Sequence, residues 1–349
     1  MSAEVATPTG ADAVASGERA RRLTENIFRV RELGIVLALA LLIAVTAILE
    51  PRFIEWDSLK DLLRNASLIA IMAVGQTLVL VTRNVDLSVS SVLGLAAFMT
   101  GDMLSGHGTP IGLVILLAIA LGAACGLLNG LLVTFGRVPA LVVTLGTLYA
   151  FRGLAFLWTD GRQINAETLP DSFLNLGTGT WLGIPSIAVI ALIVVIAVGY
   201  FLRSYRSGRE FYATGSNPAA ARLAGIRIDR RVTIAFVVSG ALAGLAGALF
   251  TARYGTVDAT AGTGYEFQVI AAAVVGGVAI TGGVGTVYGA AIGALLMGCI
   301  TSSLIFLKVD SFWQQAAVGA LLLVAIGFDR FIGLRLDAAL RQRSARRAA

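Results

Sequence analysis

The chain has 349 residues, of which 57% are hydrophobic and only 14% charged, against roughly 25% charged in soluble globular domains. A soluble protein so poor in charge could not clothe its surface, and the apolar residues fall in long runs, so composition excludes a soluble fold and points to a membrane-embedded one. The formal charge of +6, from 27 Lys plus Arg against 21 Asp plus Glu, would suggest nucleic acid in a soluble chain; here its distribution gives another explanation.

Residues 1–30 are polar, then Arg-rich, and no apolar core with a small-residue cleavage site precedes the first long run. The expectation is a disordered cytoplasmic tail rather than a cleaved signal peptide. Ten segments then approach the ~20 mainly apolar residues of a spanning helix. They are 32–49, 66–82, 87–104, 111–134, 139–158, 184–202, 232–252, 267–281, 285–307 and 311–328. The second and eighth are short, and only Thr281-Gly282-Gly283 separates the eighth from the ninth. The fold class expected is an all-α polytopic bundle of about ten helices over 31–329, followed by a basic tail at 330–349.

Orientation follows from the cations. With the N-terminus inside, 20 of the 27 Lys and Arg fall in inner segments, seven of them in 203–231 and six from Arg330 to Arg347. An even helix count with both termini cytoplasmic fits this asymmetry. Topology and anionic lipid then account for the basic excess, and no nucleic-acid partner is needed. Cys125 and Cys299 lie inside apolar runs and read as buried thiols. With His107 the single histidine, in a short polar loop, the chain offers no His/Cys metal cluster.

Glycines recur every four residues at Gly122, Gly126 and Gly130, at Gly240 and Gly244, and at Gly285, Gly289 and Gly293. Such stripes let helix backbones approach closely, and they read as packing. Val85–Ala97 and Gly282–Leu295 share a polar or Gly-rich break followed by a small-residue helix, a hint of two related halves.

The loop Arg203–Arg231 is the one long charged segment between spans. Within it Asn217 is a good N-cap, Pro218 fits a first helical turn, Ala219 to Ala224 is helix-forming, and Gly225 is a natural C-cap. A short, sharply bounded helix carrying Arg222 on the inner face suits docking into a partner's groove. Its side chains are too small to anchor strongly in lipid.

This loop resembles the coupling loop of bacterial ATP-binding-cassette importer permeases of the ribose, xylose and arabinose type. Asn84-Val85-Asp86-Leu87-Ser88-Val89-Ser90-Ser91 is similar to that family's Gly-Gly-Ile-Asp-Leu-Ser-Val-Gly-Ser motif, with Asn84 and Ser90 where glycines are usual. Val138-Pro139, Thr144-Leu145-Gly146 and Arg152-Gly153 resemble its Pro…Thr-Leu-Gly…Arg-Gly segment. Gly264-Tyr265-Glu266, Ile270-Ala271-Ala272, Gly276-Gly277 and Gly282-Gly283-Val284-Gly285 resemble its late Gly-rich helices. The ordered set covers about 75–330.

The resemblance implies a permease bundle like that of vitamin B12 importers, importing a monosaccharide such as ribose, xylose or rhamnose. It also implies a second permease copy, identical or not, a periplasmic sugar-binding protein, and a separate ATPase subunit. ATP and Mg would belong to that subunit, and the chain itself has no Gly-x-x-x-x-Gly-Lys-Ser/Thr phosphate loop. Asn217, Pro218, Ala221, Arg222, Leu223, Ala224 and Gly225 would couple to the ATPase.

The remaining polar candidates keep two readings each. Asp86 either caps the third span or lies by the pathway. Arg152, inside its span, faces the bundle or snorkels outward. Glu266 is a helix N-terminal acid or a docking point for the binding protein. Ser88, Ser90, Ser91, Asn129 and Thr144 offer contacts to a sugar or interhelical hydrogen bonds. An ion-coupled secondary sugar transporter is the alternative function; it needs a carboxylate deep in the bundle, and Asp86 is the one at issue. An intramembrane enzyme lacks a nucleophile with a base.

Overall fold

The computed structural model describes residues 34–106, 108–310, 312–320, 323, 324 and 327. Both expected tails and His107 lie outside them. The described chain is a helical bundle: α1 (Gly34–Leu49), α2 (Trp56–Val81), α3 (Val89–Leu104), α4 (Ile111–Thr134), α5 (Ala140–Thr159), α6 (Asp171–Thr178), α7 (Ser186–Ser204), α8 (Arg206–Ser216), α9 (Pro218–Leu223), α10 (Ile228–Tyr254), α11 (Tyr265–Val275) and α12 (Val287–Phe306). A further helical stretch covers 312–320. Six of these helices (α2, α4, α5, α7, α10 and α12) are long and apolar enough to cross a membrane, and α1, α3 and α11 are shorter apolar helices.

Several sequence boundaries move for physical reasons. The second span, expected at 66–82, begins at Trp56. Its first turns are polar and stabilised by Asp57–Lys60 and Asp61–Arg64 pairs at i,i+3, which a hydropathy window cannot register as helix. The eighth, expected at 267–281, ends at Val275. Eleven residues rise only ~16 Å, about half the hydrocarbon core. The chain then runs without helix through 276–286, with Gly277, Gly282, Gly283 and Gly285 at positive φ. Gly285 therefore belongs to a loop and not to the ninth span.

Sequence reading gave 159–183 no elements. The structure builds there α6 and a two-stranded antiparallel hairpin of Thr180–Trp181 with Ile184–Pro185.

Helix α2 is the central element, buried along most of its length and packed by α7, α8, α10, α11 and α12. Helix α10 lies along α4, α3 and α2. The glycine stripes are where backbones meet: a methyl on Gly126 would lie 2.8 Å from the Phe236 carbonyl carbon, and one on Gly240 would lie 2.9 Å from Gly126 N. Removing side chains at this crossing replaces the missing hydrophobic drive with close van der Waals packing. Cys125 and Cys299 are buried free thiols on α4 and α12. Outward faces of α4, α5 and α7 keep rows of exposed apolar side chains such as Leu116, Leu127, Leu141, Leu145, Leu192 and Ile196. A surrounding hydrocarbon phase tolerates such faces, because every backbone polar group is satisfied within the helix.

The bundle has two chemically distinct ends. One gathers 82–88, 135–139, 205–227 and 276–286. The other gathers 105–106, 108–110, 160–185 and 255–264, joined by the Arg162–Asp102 ion pair at 3.1 Å and an Ile164–Val257 bridge.

Candidate functional site

The expected capped helix is present as α9. The Asn217 side chain, at the N-cap, accepts a hydrogen bond from the Ala220 N–H at 3.1 Å. Pro218 opens the first turn. Gly225 sits at φ +77°, the left-handed conformation in which a helix terminates. Ala221 is buried against the bundle, while Arg222 and Ala224 are exposed and Leu223 is 93% exposed. An isolated leucine this bare, beside a cation, is presented outward.

Sequence reading missed α8, the amphipathic helix leading into α9. It buries Gly208, Phe211, Thr214 and Gly215, the i, i+3, i+7 spacing of a packed face. The half-buried Tyr212 phenol on the same helix is pushed up to about 12 by burial. Glu210 on α8 pairs with Arg231 at the start of α10, whose Nε donates at 2.7 Å, and the Arg231 guanidinium lies 5.9 Å from the Phe211 ring centroid.

The end of α8 is locked into the bundle at one joint. Arg83, just past α2 and at φ +67°, donates through Nε to the Gly215 carbonyl and through Nη2 to the Ser216 carbonyl at 2.9 Å. The Gly283 N–H donates to the Val81 carbonyl at 2.8 Å. A methyl on Gly215 would lie 2.7 Å from Gly283 N. Three segments distant in sequence thus meet at backbone contact: the end of α2, the end of α8, and the 276–286 loop. The two breaks that the sequence paired, around residues 85 and 282, lie side by side here.

The polar candidates of the first break are brought together. Asp86, 1% exposed, accepts through Oδ1 from the Ser88 N–H at 3.0 Å and Ser88 Oγ at 2.7 Å, and through Oδ2 from Ser239 Oγ at 3.1 Å. Asn129 on α4 donates to Ser88 Oγ at 2.8 Å. The Gln76 carboxamide, oriented by the partners it faces, spans the Asp86 backbone, donating to its carbonyl and accepting from its N–H, each at 3.2 Å. Thr144 Oγ1 donates to the Ala140 carbonyl at 2.9 Å and approaches the Val85 carbonyl at 3.2 Å.

Ser88 is the N-cap of α3, so Asp86 ties the turn before the helix rather than capping it. Gln76 and Ser239 escaped sequence reading because both lie within long apolar runs.

Arg152 faces the bundle. Its Nη1 donates to the Ala259 and Ala261 carbonyls, each at 2.8 Å, and its Nη2 lies 3.5 Å from the Ser90 carbonyl. Its partners are carbonyl dipoles rather than the carboxylate of an ion pair. The Ser90 side chain is buried, and Ser91 Oγ donates to the Leu148 carbonyl at 2.7 Å. Glu266 is 9% exposed, and its Oε2 accepts from the Gly264 N–H at 3.1 Å in the first turn of α11. Arg152 and Glu266 lie toward the end opposite α9, away from the Asp86 cluster.

Residues 58–326 match the family described as "Branched-chain amino acid transport system / permease component". The chain is 38% identical over 300 residues to the autoinducer 2 import system permease protein LsrC of Photorhabdus luminescens, covering 86% of this chain and 89% of that one. It is 39% identical over 301 residues to the ribose import permease protein RbsC of Haemophilus influenzae, covering 86% and 93%. To LsrC of Escherichia coli it is 36% identical over 313 residues, covering 89% and 90%. A match over this much of each chain, with the capped α9 and the broken segments in place, makes the protein a multi-pass inner-membrane permease that belongs to this family of bacterial importer components.

Proposed function

We propose that the chain is the membrane half of an ATP-driven importer for a monosaccharide or a sugar-like solute of similar size. The end bearing α8 and α9 is cytoplasmic, in keeping with Arg83, Arg137 and the seven arginines of 203–231 gathered there. Residues 217–225 dock a separate ATPase subunit, a periplasmic binding protein delivers cargo at the opposite end, and a second permease copy completes the channel. The observation that carries this reading is the α9 stub. It is exposed, capped at both ends, and joined through α8 and Arg83 to two breaks in the bundle. A force applied to α9 is therefore delivered to irregular backbone, where a helix can move without sliding along its whole length.

The ribose and autoinducer 2 named for the relatives support a sugar-like cargo. The Asp86 carboxylate is committed to Ser88 and Ser239, which supports a structural role over ion coupling.

Gentle detergent capture of the tagged chain from its native membrane tests the reading. Recovery of an ATP-binding subunit is expected, and Arg222→Glu should weaken that recovery while the permease remains inserted. Sugar uptake should persist under a proton uncoupler while ATP is maintained. Recovery of the chain alone, or uptake that collapses with the proton gradient, would overturn the proposal in favour of ion coupling.

A further inference from the structure

At the end opposite α9, the segment joining α10 to α11 borders a cavity of about 390 Å³. From Thr256 to Ala261 burial alternates: Thr256, Asp258 and Thr260 are exposed, and Val257, Ala259 and Ala261 are buried. Val257 is pinned by its bridge to Ile164, and from Ala259 the chain turns, the Ala261 N–H donating to the Asp258 carbonyl at 3.3 Å. Beneath it, Arg152 grips the Ala259 and Ala261 carbonyls. The polar edge is thus fixed from both sides. Asp258 Oδ1 is occupied by the Thr260 N–H at 2.8 Å and Thr260 Oγ1 at 2.7 Å; among the described residues its Oδ2 accepts nothing. Tyr254 and Tyr265 also line the cavity, each braced by the Phe250 ring with centroids 4.5 and 6.1 Å away, and Gln163 completes it.

We propose that this cavity is a subsite that holds one monosaccharide at the outer mouth of the permease, resting on the sugar-importer reading above. A neutral polyol requires an acceptor for paired hydroxyls, an amide that both gives and takes hydrogen bonds, and an aromatic face for its C–H side. Asp258, Gln163 and the two tyrosines supply these in one place. Among the described residues no lysine or arginine lines the cavity, and the Arg253 guanidinium is held over the Tyr254 ring, 4.8 Å from its centroid, so the lining favours a neutral ligand over a phosphorylated one. The volume lies near the lower end of the ~300–1,000 Å³ of small-molecule sites, room enough for one sugar ring. Arg152 is a positioning residue for this site, because it shapes the edge that carries Asp258 and does not itself line the cavity.

The test is saturation-transfer NMR on the purified full chain with millimolar D-ribose and D-xylose, and L-leucine as the non-sugar probe, alongside uptake by the transporter reconstituted with its ATPase and binding protein. Transfer to ring protons of at least one pentose is expected, with none to leucine. Tyr254→Ala and Asp258→Asn should each reduce it several-fold and raise the half-saturation concentration for uptake. Thr256→Val, which keeps the shape and removes a hydroxyl, should reduce transfer if either larger change proves poorly folded. Pentose uptake that is intact in the wild type but unaltered in these variants would overturn the subsite and leave the importer standing. Variants that lose binding-protein capture with sugar transfer unchanged would likewise overturn it, making the cavity a docking surface. A wild type that transports leucine and no sugar would overturn the importer reading itself.

Discussion

Gly215→Ala should loosen the joint beneath α9, and its sign is set by competing terms. Gly215 lies inside α8, where propensity alone favours alanine by ~1 kcal/mol. Against this, the new methyl would lie 2.7 Å from Gly283 N and 2.9 Å from the Val81 carbonyl carbon, and closer still to the Val81 oxygen. All three atoms are backbone, so none can rotate away. Overpacking of this kind costs ~2 kcal/mol. Wedging Val81 from Gly283 also loses one backbone hydrogen bond, worth ~1 kcal/mol.

The net is about 2 kcal/mol against the closed joint, a change of ~30-fold in its opening equilibrium. Hydrogen–deuterium exchange of the 276–286 segment in the purified chain reads this directly, since the Gly283 amide donates to the Val81 carbonyl. Faster exchange confined to 276–286 and to the end of α8 is expected. Gly146→Ala is the internal control: α5 places open space there, so the same substitution should be neutral or stabilising by up to ~1 kcal/mol. Unchanged protection of 276–286 in Gly215→Ala would refute the joint as the link between α8 and the second break.

Further outcomes follow from individual contacts. Asp86→Ala strands three buried donors, each costing ~1–3 kcal/mol, and should lower the thermal midpoint beyond Ser239→Ala, which strands one buried acceptor, the Asp86 Oδ2; equal midpoints would contradict the network. Asn217→Ala loses the cap on α9, ~1 kcal/mol, and should weaken ATPase-subunit capture moderately, with Asn217→Ser restoring it. Gly126→Ala should cost ~1–3 kcal/mol by pushing α4 off α10, seen as a lower midpoint in detergent. Gly153→Ala, which meets nothing within 4 Å, should leave the midpoint in place.

Local chemistry and non-local geometry were unequally legible in the sequence. The α9 stub could be read whole because Asn217, Pro218 and Gly225 act on their immediate neighbours, and capping is a matter of three or four residues. The preceding helix α8 was lost because Arg206, Arg209 and Glu210 mark it as loop to any search for apolar runs, although Phe211 and Gly215 at helical spacing carried the signal. The polar start of α2 was lost in the same way. Arg152 was narrowed to two directions; choosing between them needed the carbonyls of Ala259 and Ala261, more than a hundred residues away. No local pattern announces that Gly283 N–H ends on the Val81 carbonyl.

The polar residues around Asp86 take on a different meaning once placed in three dimensions. A break in a helix inside a bundle exposes N–H and C=O groups that hydrocarbon cannot satisfy, so such breaks persist only where protein groups replace the missing bonds. Gln76 does this for the Asp86 backbone, and the Asp86 carboxylate does it for the Ser88 N–H. Thr144 reaches the Val85 carbonyl to the same end. A motif that resembles a row of sugar contacts can thus be accounted for as the support of irregular backbone, without any of these side chains touching cargo. Sugar-recognition chemistry is then better sought where polar side chains are held outward, on the edge carrying Thr256, Asp258 and Thr260. The Asp86 break is left the task of bending, which the proposed docking of an ATPase beneath α8 and Arg83 would require.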